Sequence, residues 1–296
     1  MADNNILISI IIPSYNRAYT IGRTIDSFIA QDYDNWEMLV VDDHSTDNTS
    51  ELIADYERKD PRIHYLLNER KKGAQGARNT GILHAKADWV VLFDSDDVAY
   101  PNYLSVMASH IDESCDVITC NAEVVNIDTN ERQLARWGAE GDDVESKLLN
   151  EMNYVNFIDS LFRKGKLVEI GLLAEDCPAF QEYDTHIRVS RISTYKQIQD
   201  VLLDYYSGGK DTISYDCKKN RGGLVWVVWH NRERWRKVAY KHMVSMAKRL
   251  FRNQHRKYRW LLIKAVPEVV LMIPIIYLNV LIRKINLKCK INIPQL

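Results

Sequence analysis

Four short apolar runs punctuate the first hundred residues: Ile8 to Ile12, Trp36 to Val41, Ile63 to Leu66 and Trp89 to Phe93. Each is β-branched or aromatic and bounded by polar residues, as expected for buried strands. The segments between them carry a different period. Ile21, Ile25, Phe28 and Ile29 share one helical face, Leu52, Ile53 and Tyr56 share another, and Ile82 and Leu83 mark a third. Strand and helix alternating at this spacing predict an α/β domain with a mainly parallel sheet covered on both faces. In such sheets ligands bind beyond the carboxyl ends of the strands.

The polar residues at those ends are the candidate chemistry. Pro13, Ser14, Tyr15, Asn16 and Arg17 follow the first run, Asp42 to Asp47 follow the second, and Asp94, Ser95, Asp96 and Asp97 follow the fourth. Three carboxylates held together raise one another's pKa, and a cation relieves that cost. Hard divalent ions such as Mg²⁺ or Mn²⁺ sit on one or two carboxylates plus substrate phosphates, so the cluster suggests a phosphate-bearing ligand held through a metal. The plainer alternative is an acidic turn capping a helix that starts near Pro101. Lys71 to Asn79 add a basic, glycine-bearing lead into the third helix. Ser45 or Asp47 is placed to cap the second, and Asp42 either packs or caps.

In content, order and spacing, Ser9–Arg17, Trp36–Asp47, Gly76–Gly81 and Leu92–Asp97 resemble the family 2 glycosyltransferases, inverting enzymes of the GT-A fold, a Rossmann-like α/β architecture. The resemblance covers about the first two-thirds of the chain. It implies that Asp43 reads a uracil-type base, that Pro13 and the Tyr15–Arg17 loop, Asn16 included, floor the nucleotide pocket, and that Arg78 contacts the nucleotide or diphosphate. Asp96 then lies on the ribose side of the metal motif and Asp97 is the direct ligand of Mn²⁺ or Mg²⁺. His44 departs from the family, which most often has Gly or a small polar residue there.

A second family signature matches Gly171 to Ser190, where an acidic loop leads into an amphipathic helix ending at Arg188. Counted back from Arg188, Glu182 falls at the position of the catalytic base, most often Asp in the family. Asp184 is the second acid of the pair, with helix capping and dipole stabilisation as its alternative role. Glu175 and Asp176 are rival bases. Downstream, Val201 to Ser207 reads as a strand entering a Gly208-Gly209 turn, from which Lys210 could reach a diphosphate.

Charge divides the chain. Residues 216–296 hold 19 Lys or Arg and 3 Asp or Glu, whereas residues 1–215 hold 20 and 37, which the net charge of −1 hides. Such asymmetry points to a polyanionic partner. Trp226, Trp229, Trp235 and Trp260 interleaved with basic residues, and the apolar stretch Val269 to Ile282 between basic flanks, favour an anionic membrane surface over nucleic acid. Lys264, Pro267, Glu268 and Pro274 interrupt that stretch as a span, so helices lying in the interface are the preferred reading, with a re-entrant hairpin, a helical subdomain core or a homo-oligomer contact as alternatives.

Cys115, Cys120, Cys177, Cys217 and Cys289 are scattered, without metal spacing, and read as free thiols of a reducing compartment. No leader is expected ahead of Ile6. The polar stretch Asp128 to Glu151 is expected to be a mobile loop, and His230 is a remote candidate metal ligand. The expected organisation is a GT-A domain over residues 6–215 and a basic, membrane-associated helical region over 216–296. The expected activity is metal-dependent inverting transfer from a nucleotide diphosphate sugar to a glycan or lipid-linked glycan acceptor, in the cytoplasm at the inner face of the membrane. A sugar nucleotidyltransferase and a non-catalytic membrane-bound scaffold are the rivals.

Overall fold

The computed structural model describes residues 6–136, 143–151, 156–208, 217–252, 263–264 and 266. Backbone packing divides the chain into two units. One holds Met1–Cys177 and Gln181–Tyr215, the other Pro178–Phe180 and Asp216–Leu296.

The first unit opens with β1 (Ile8–Ser14), α1 (Ile21–Ile29), β2 (Trp36–Asp42), α2 (Thr49–Lys59), β3 (Ile63–Leu67), α3 (Ala74–His84) and β4 (Trp89–Leu92). It continues through β5 (Val98–Ala99), α4 (Tyr103–Ser109), β6 (Val117–Asn126), β7 (Arg132–Ala135), α5 (Val144–Glu151), β8 (Ser160–Arg163), α6 (Lys164–Glu169), α7 (Gln181–Val189) and β9 (Tyr195–Ser207). The sheet runs β3-β2-β1-β4-β8-β6-β9-β5, and β7 pairs with the later part of β6, beyond the residues that pair with β8. The β3-β2-β1-β4 half is parallel, and the remainder mixes antiparallel pairs with the parallel pair β6–β9.

Every residue of β1 is buried, because helices cover both faces of the parallel half. Alternation splits its side chains. Ile8, Ile10 and Ile12 join Ile21, Ile25 and Phe28 of α1 in one apolar cluster. Ile11 points the other way, to α3, where a Cβ at Gly81 would stand 2.4 Å from Ile11 Cγ2. Glycine there lets the helix lie directly on the sheet. Phe93 meets Phe28 edge-on at a centroid distance of 4.9 Å and Tyr103 at 5.9 Å, which packs the residue before Asp94 from two sides. The parallel register sets Ser14 beside Asp42, so the ends of neighbouring strands emerge together.

Two expectations are corrected. Asp94–Asp97 does not cap the helix beginning near Pro101: β5 intervenes, and the residue before α4, Asn102, makes no side-chain capping bond. Asp128–Glu151 is not simply a loop. It turns at Asn130, whose φ is 59°, into β7, and Val144, Leu148 and Leu149 of α5 are buried. The strand β7 has polar and apolar residues mostly exposed on both sides, so no period-two apolar signal announces it. Residues 137–142 lie outside the described segments.

In the second unit, α8 (Cys217–His230), α9 (Arg232–Val238) and α10 (Tyr240–Arg252) supply a core of Leu224, Val225, Val227, Val228, Trp235, Met243, Met246 and Ala247. Trp235, expected in an interfacial belt, is instead fully buried. Its apolar ring is worth more inside a small helical core than at a surface. Among the described residues no helix is long and apolar enough to cross a membrane. Trp260 and Val269–Ile282 lie outside the described residues.

Candidate active site

The first wall of the site is the loop after β1. Asn16 has φ 53°, a left-handed conformation that Asn tolerates better than most residues. Its backbone N–H donates to Ser45 Oγ at 2.8 Å, and its side-chain oxygen accepts from the Thr46 N–H at 2.7 Å. The β1 and β2 loops are thereby tied together. His44 also lies in the left-handed region, at φ 64°, which accounts for the small residue usual at that position. Asp42 is internal to this turn: it accepts from the Ser45 N–H at 3.1 Å and from the Tyr65 hydroxyl at 3.0 Å. Asp47, rather than Ser45, receives the N–H of Thr49 at the start of α2, at 3.1 Å.

Asp43 is buried, with one oxygen accepting from Asn68 Nδ2 at 2.6 Å and the other from the Gly73 N–H at 2.8 Å. These bonds fix its carboxylate while leaving lone pairs for a ligand N–H. Pro13 is buried beneath this loop, and Tyr15 is exposed, with Lys72 Nζ 4.7 Å from its ring centroid. Gln75, in the first turn of α3, is buried with neither amide atom hydrogen-bonded.

The acids after β4 converge. Ligating oxygens of Asp94, Asp96 and Asp97 all lie within 4.8 Å of one another. Arg78 on α3 pairs with Asp94, and the ring centroid of Phe157 lies 5.0 Å from the Cζ of the same guanidinium. Arg17 approaches Asp96 at 3.9 Å. Asp97 is almost fully buried, at 1% exposure. One of its oxygens accepts from the Tyr206 N–H at 2.8 Å, and the other is buried with no hydrogen bond. Burial first, then the charges of Asp96 and Asp94, push its carboxyl well above the ordinary range. Burial and Asp94 raise Asp96 as well. An orphaned carboxylate oxygen inside a cluster of three acids fits a hard divalent cation, which takes oxygen ligands and removes the repulsion.

Glu182 stands in the first turn of α7. It is partly accessible, yet the protein around it desolvates the carboxyl and raises its pKa. Arg78 opposes that shift and Asp94 adds to it, which places Glu182 within electrostatic reach of both. Asp184, two residues on, is buried and points elsewhere. It accepts from Arg188 Nε at 2.8 Å, while Arg188 Nη1 donates to the carbonyls of Ile170 and Leu172. Both rival bases are engaged in ion pairs, Glu175 with Arg70 and Asp176 with Lys71. Despite desolvation, hydrogen bonds from Asn79 and Arg70 hold the Glu175 carboxyl below its usual value. Asn79 fixes the same loop, donating to Leu173 O at 2.9 Å and accepting from the Leu173 N–H at 3.0 Å.

Several residues of the site escape sequence reasoning. Tyr205 on β9 lies among the acids: burial, then Asp97, Asp94, Glu182 and Asp96, raise its hydroxyl. Arg23 and Thr24 of α1 donate to the carbonyls of Asp96 and Asp97. Only the chain direction of β9, and its pairing with β5 next to the acidic cluster, brings Tyr205 there. Lys210 lies outside the described residues. His230 stacks on Trp226 and bonds its carbonyl, and among the described residues the one group of three or more side chains placed to hold a metal ion is Asp94, Asp96 and Asp97. Cys115, Cys120 and Cys177 are free thiols and buried.

Similarity to known proteins follows the same outline. A glucosyltransferase of Escherichia coli, WfgD, described as acting from UDP-Glc on α-D-GlcNAc-diphosphoundecaprenol, is 41% identical over 121 residues, 40% of this chain and 47% of its own length. The chain thus spans about half of that curated relative. Among solved structures, S. aureus TarS 1–349 in complex with UDP-GlcNAc superposes with a TM-score of 0.70 at 17% identity, covering 89% of this chain and 80% of that one. The mannosyltransferase PcManGT of Pyrobaculum calidifontis, in complex with GDP-Man and Mn²⁺, gives 0.60 at 18% identity over 95% and 80%. At such identities the likeness establishes the GT-A-like fold. The profile of Glycosyl transferase family 2 matches residues 9–169, more than half of the 296, and the protein belongs to that family.

Proposed function

We propose that the protein transfers a sugar, with inversion, from a nucleoside diphosphate sugar to an acceptor hydroxyl. The observation that carries this reading is the buried, unpaired oxygen of Asp97 within the three-acid cluster, with Glu182 in electrostatic reach of the same Arg78–Asp94 pair. Asp97 and Asp96 would hold Mn²⁺ or Mg²⁺, which when bound neutralises charge on the donor diphosphate. Asp43 orients the base, and its fixation by Asn68 and Gly73 means no reorganisation is needed on binding. Arg78 and Arg17 supply positive charge near the diphosphate. Charge grows there as the bond between the anomeric carbon and the phosphate oxygen breaks, so these groups stabilise the transition state more than the ground state.

Glu182 takes the proton from the acceptor hydroxyl as its oxygen bonds to the anomeric carbon, and the nucleoside diphosphate leaves with the electron pair. A raised pKa suits this role, since a base closer to neutral drives proton transfer better. Asp184 acts through structure, by holding Arg188 and with it the Gly171–Leu172 turn that precedes the base. Product analysis tests the reading. Incubation of nucleotide sugars with Mn²⁺ and acceptor is expected to release a nucleoside diphosphate. Pyrophosphate in its place would identify a nucleotidyltransferase, and no turnover or binding of any nucleotide sugar would leave only a scaffold.

The donor is taken as UDP-linked and the acceptor as a lipid-linked glycan, in line with the substrates named for WfgD and with the 19 basic residues after position 215. The catalytic unit then works at the inner face of the membrane, with the C-terminal region on anionic headgroups. Full-length protein is expected to sediment with vesicles containing anionic lipid at low salt and to be released as salt rises, because screening shortens the reach of exposed charge. Protein that stays in the supernatant at low salt would contradict the membrane assignment.

A further inference from the structure

Buried side-chain amides normally find partners, and Gln75 does not. It is 3% exposed, and both its Oε1 and its Nε2 are buried without a hydrogen bond. Among the described residues no other side chain has two such atoms. Folding has removed water from the amide and put nothing in its place, so the desolvation penalty stands in full. Gln75 is the second residue of α3, and Arg78 and Asn79 follow it at i+3 and i+4, so the three share one face of that helix. Arg78 pairs with Asp94, and its Nε is likewise buried without a partner. Asn79 is committed to the backbone of Leu173. Side chains on a helix lean toward its N-terminus. Gln75 therefore covers the ground one turn beyond Arg78, in the direction of Gly73, whose N–H holds Asp43. Arg78 also lies within electrostatic reach of Glu182. In the proposed reaction the transferred sugar occupies this interval, with its diphosphate at the acids and its anomeric carbon facing the base.

We propose that Gln75 binds hydroxyl groups of the transferred sugar and so takes part in selecting the donor. The proposal rests on the nucleotide-sugar reading and refines it. A carboxamide offers two N–H donors and an acceptor oxygen, and a sugar hydroxyl both donates and accepts, so neighbouring hydroxyls satisfy both ends of the amide at once. The side chain turns about three bonds. Because its amide makes no bond to the protein, turning it toward a ligand breaks none. A site that pairs a substrate hydroxyl in this way also rejects a sugar that lacks one, since the amide would then stay unpaired.

The experiment uses the full chain, calorimetry with Mn²⁺ and ligand-free melting curves. UDP-glucose, UDP-N-acetylglucosamine and GDP-mannose are titrated, and the tightest is set against its own nucleoside diphosphate. Gln75→Met keeps the length and helix propensity of glutamine and removes the amide. It is expected to weaken the nucleotide sugar by about tenfold while the nucleoside diphosphate stays within about twofold of wild type. Without ligand it should melt at or above the wild-type temperature, since an apolar group replaces a buried amide that had no partner. Gln75→Leu is expected to act in the same direction and serves if Gln75→Met does not fold. Unchanged affinity for the nucleotide sugar in a folded variant would overturn the proposal. Equal losses for nucleotide sugar and nucleoside diphosphate would overturn it too, by placing the amide on the nucleotide. So would a lowered melting temperature with no change in the preference for the sugar-bearing ligand, which marks an amide bonded within the protein. A wild type that binds none of these ligands would sink the functional reading and the proposal with it, whereas a wild type that binds and a variant that matches it would sink the proposal alone.

Discussion

Glu182→Gln is expected to slow sugar transfer by roughly 10²–10⁴-fold, about 3–5 kcal/mol of barrier, while UDP and Mn²⁺ binding stay near wild type. The amide keeps the size and most of the hydrogen bonding of the carboxylate but cannot take a proton. The wild-type rate should rise with pH through a value above that of an ordinary glutamate, because desolvation raises the Glu182 carboxyl and only its ionised form is a base. The variant should lack that rise. Asp184→Asn makes the informative comparison. It weakens a buried pair with Arg188, and so should lower the melting temperature together with activity. Initial rates across pH, with melting curves on the same samples, separate the two. If Asp184→Asn abolishes transfer in a fully folded protein and Glu182→Gln does not, the base must be reassigned to Asp184.

What sequence could show about this site follows from which interactions are local. The strands of the parallel half are buried on both faces, so they stand out as unbroken apolar runs, and β1, β2 and β4 lie where those runs predict. The polar residues that end them are adjacent in sequence and therefore legible as a set. The Asp184–Arg188 pair is four residues apart on one helix and is legible too. Contacts between distant segments are not. Thr24 reaches Asp97 across 73 positions and Tyr206 across 109, and no local pattern marks either residue. The hairpin partner β7 is exposed along most of its length, with no alternation of buried apolar residues, and depends on β6 for its existence. Trp235 misleads for the opposite reason. Arg234, Arg236 and Lys237 beside it suggest a surface, yet on a helix adjacent residues face different directions, and Trp235 turns inward.

Asp97→Asn should separate the metal from the fold. In the wild type the carboxyl of Asp97 is raised by burial and by Asp96 and Asp94, so the metal-free folded state holds a proton that the unfolded chain has released. Metal-free stability therefore falls as pH rises from the ordinary carboxylate value of 3.8 towards the raised one, and does not recover above it. Mn²⁺ reverses this by replacing the proton, so its stabilising effect should grow with pH over the same window. Asparagine keeps an oxygen to accept from the Tyr206 N–H and carries no charge to repel Asp96 and Asp94. The variant should consequently melt as high as, or higher than, metal-free wild type at neutral pH. It should lose the Mn²⁺-induced rise in melting temperature and the Mn²⁺-dependent part of UDP affinity. Thermal melts with and without Mn²⁺ at several pH values, and calorimetry of UDP binding, measure both. An unchanged Mn²⁺ response in Asp97→Asn would move the metal off this carboxylate. A variant that melts far below metal-free wild type would mean that the buried charge is held by protein contacts, with no vacancy for a cation to fill.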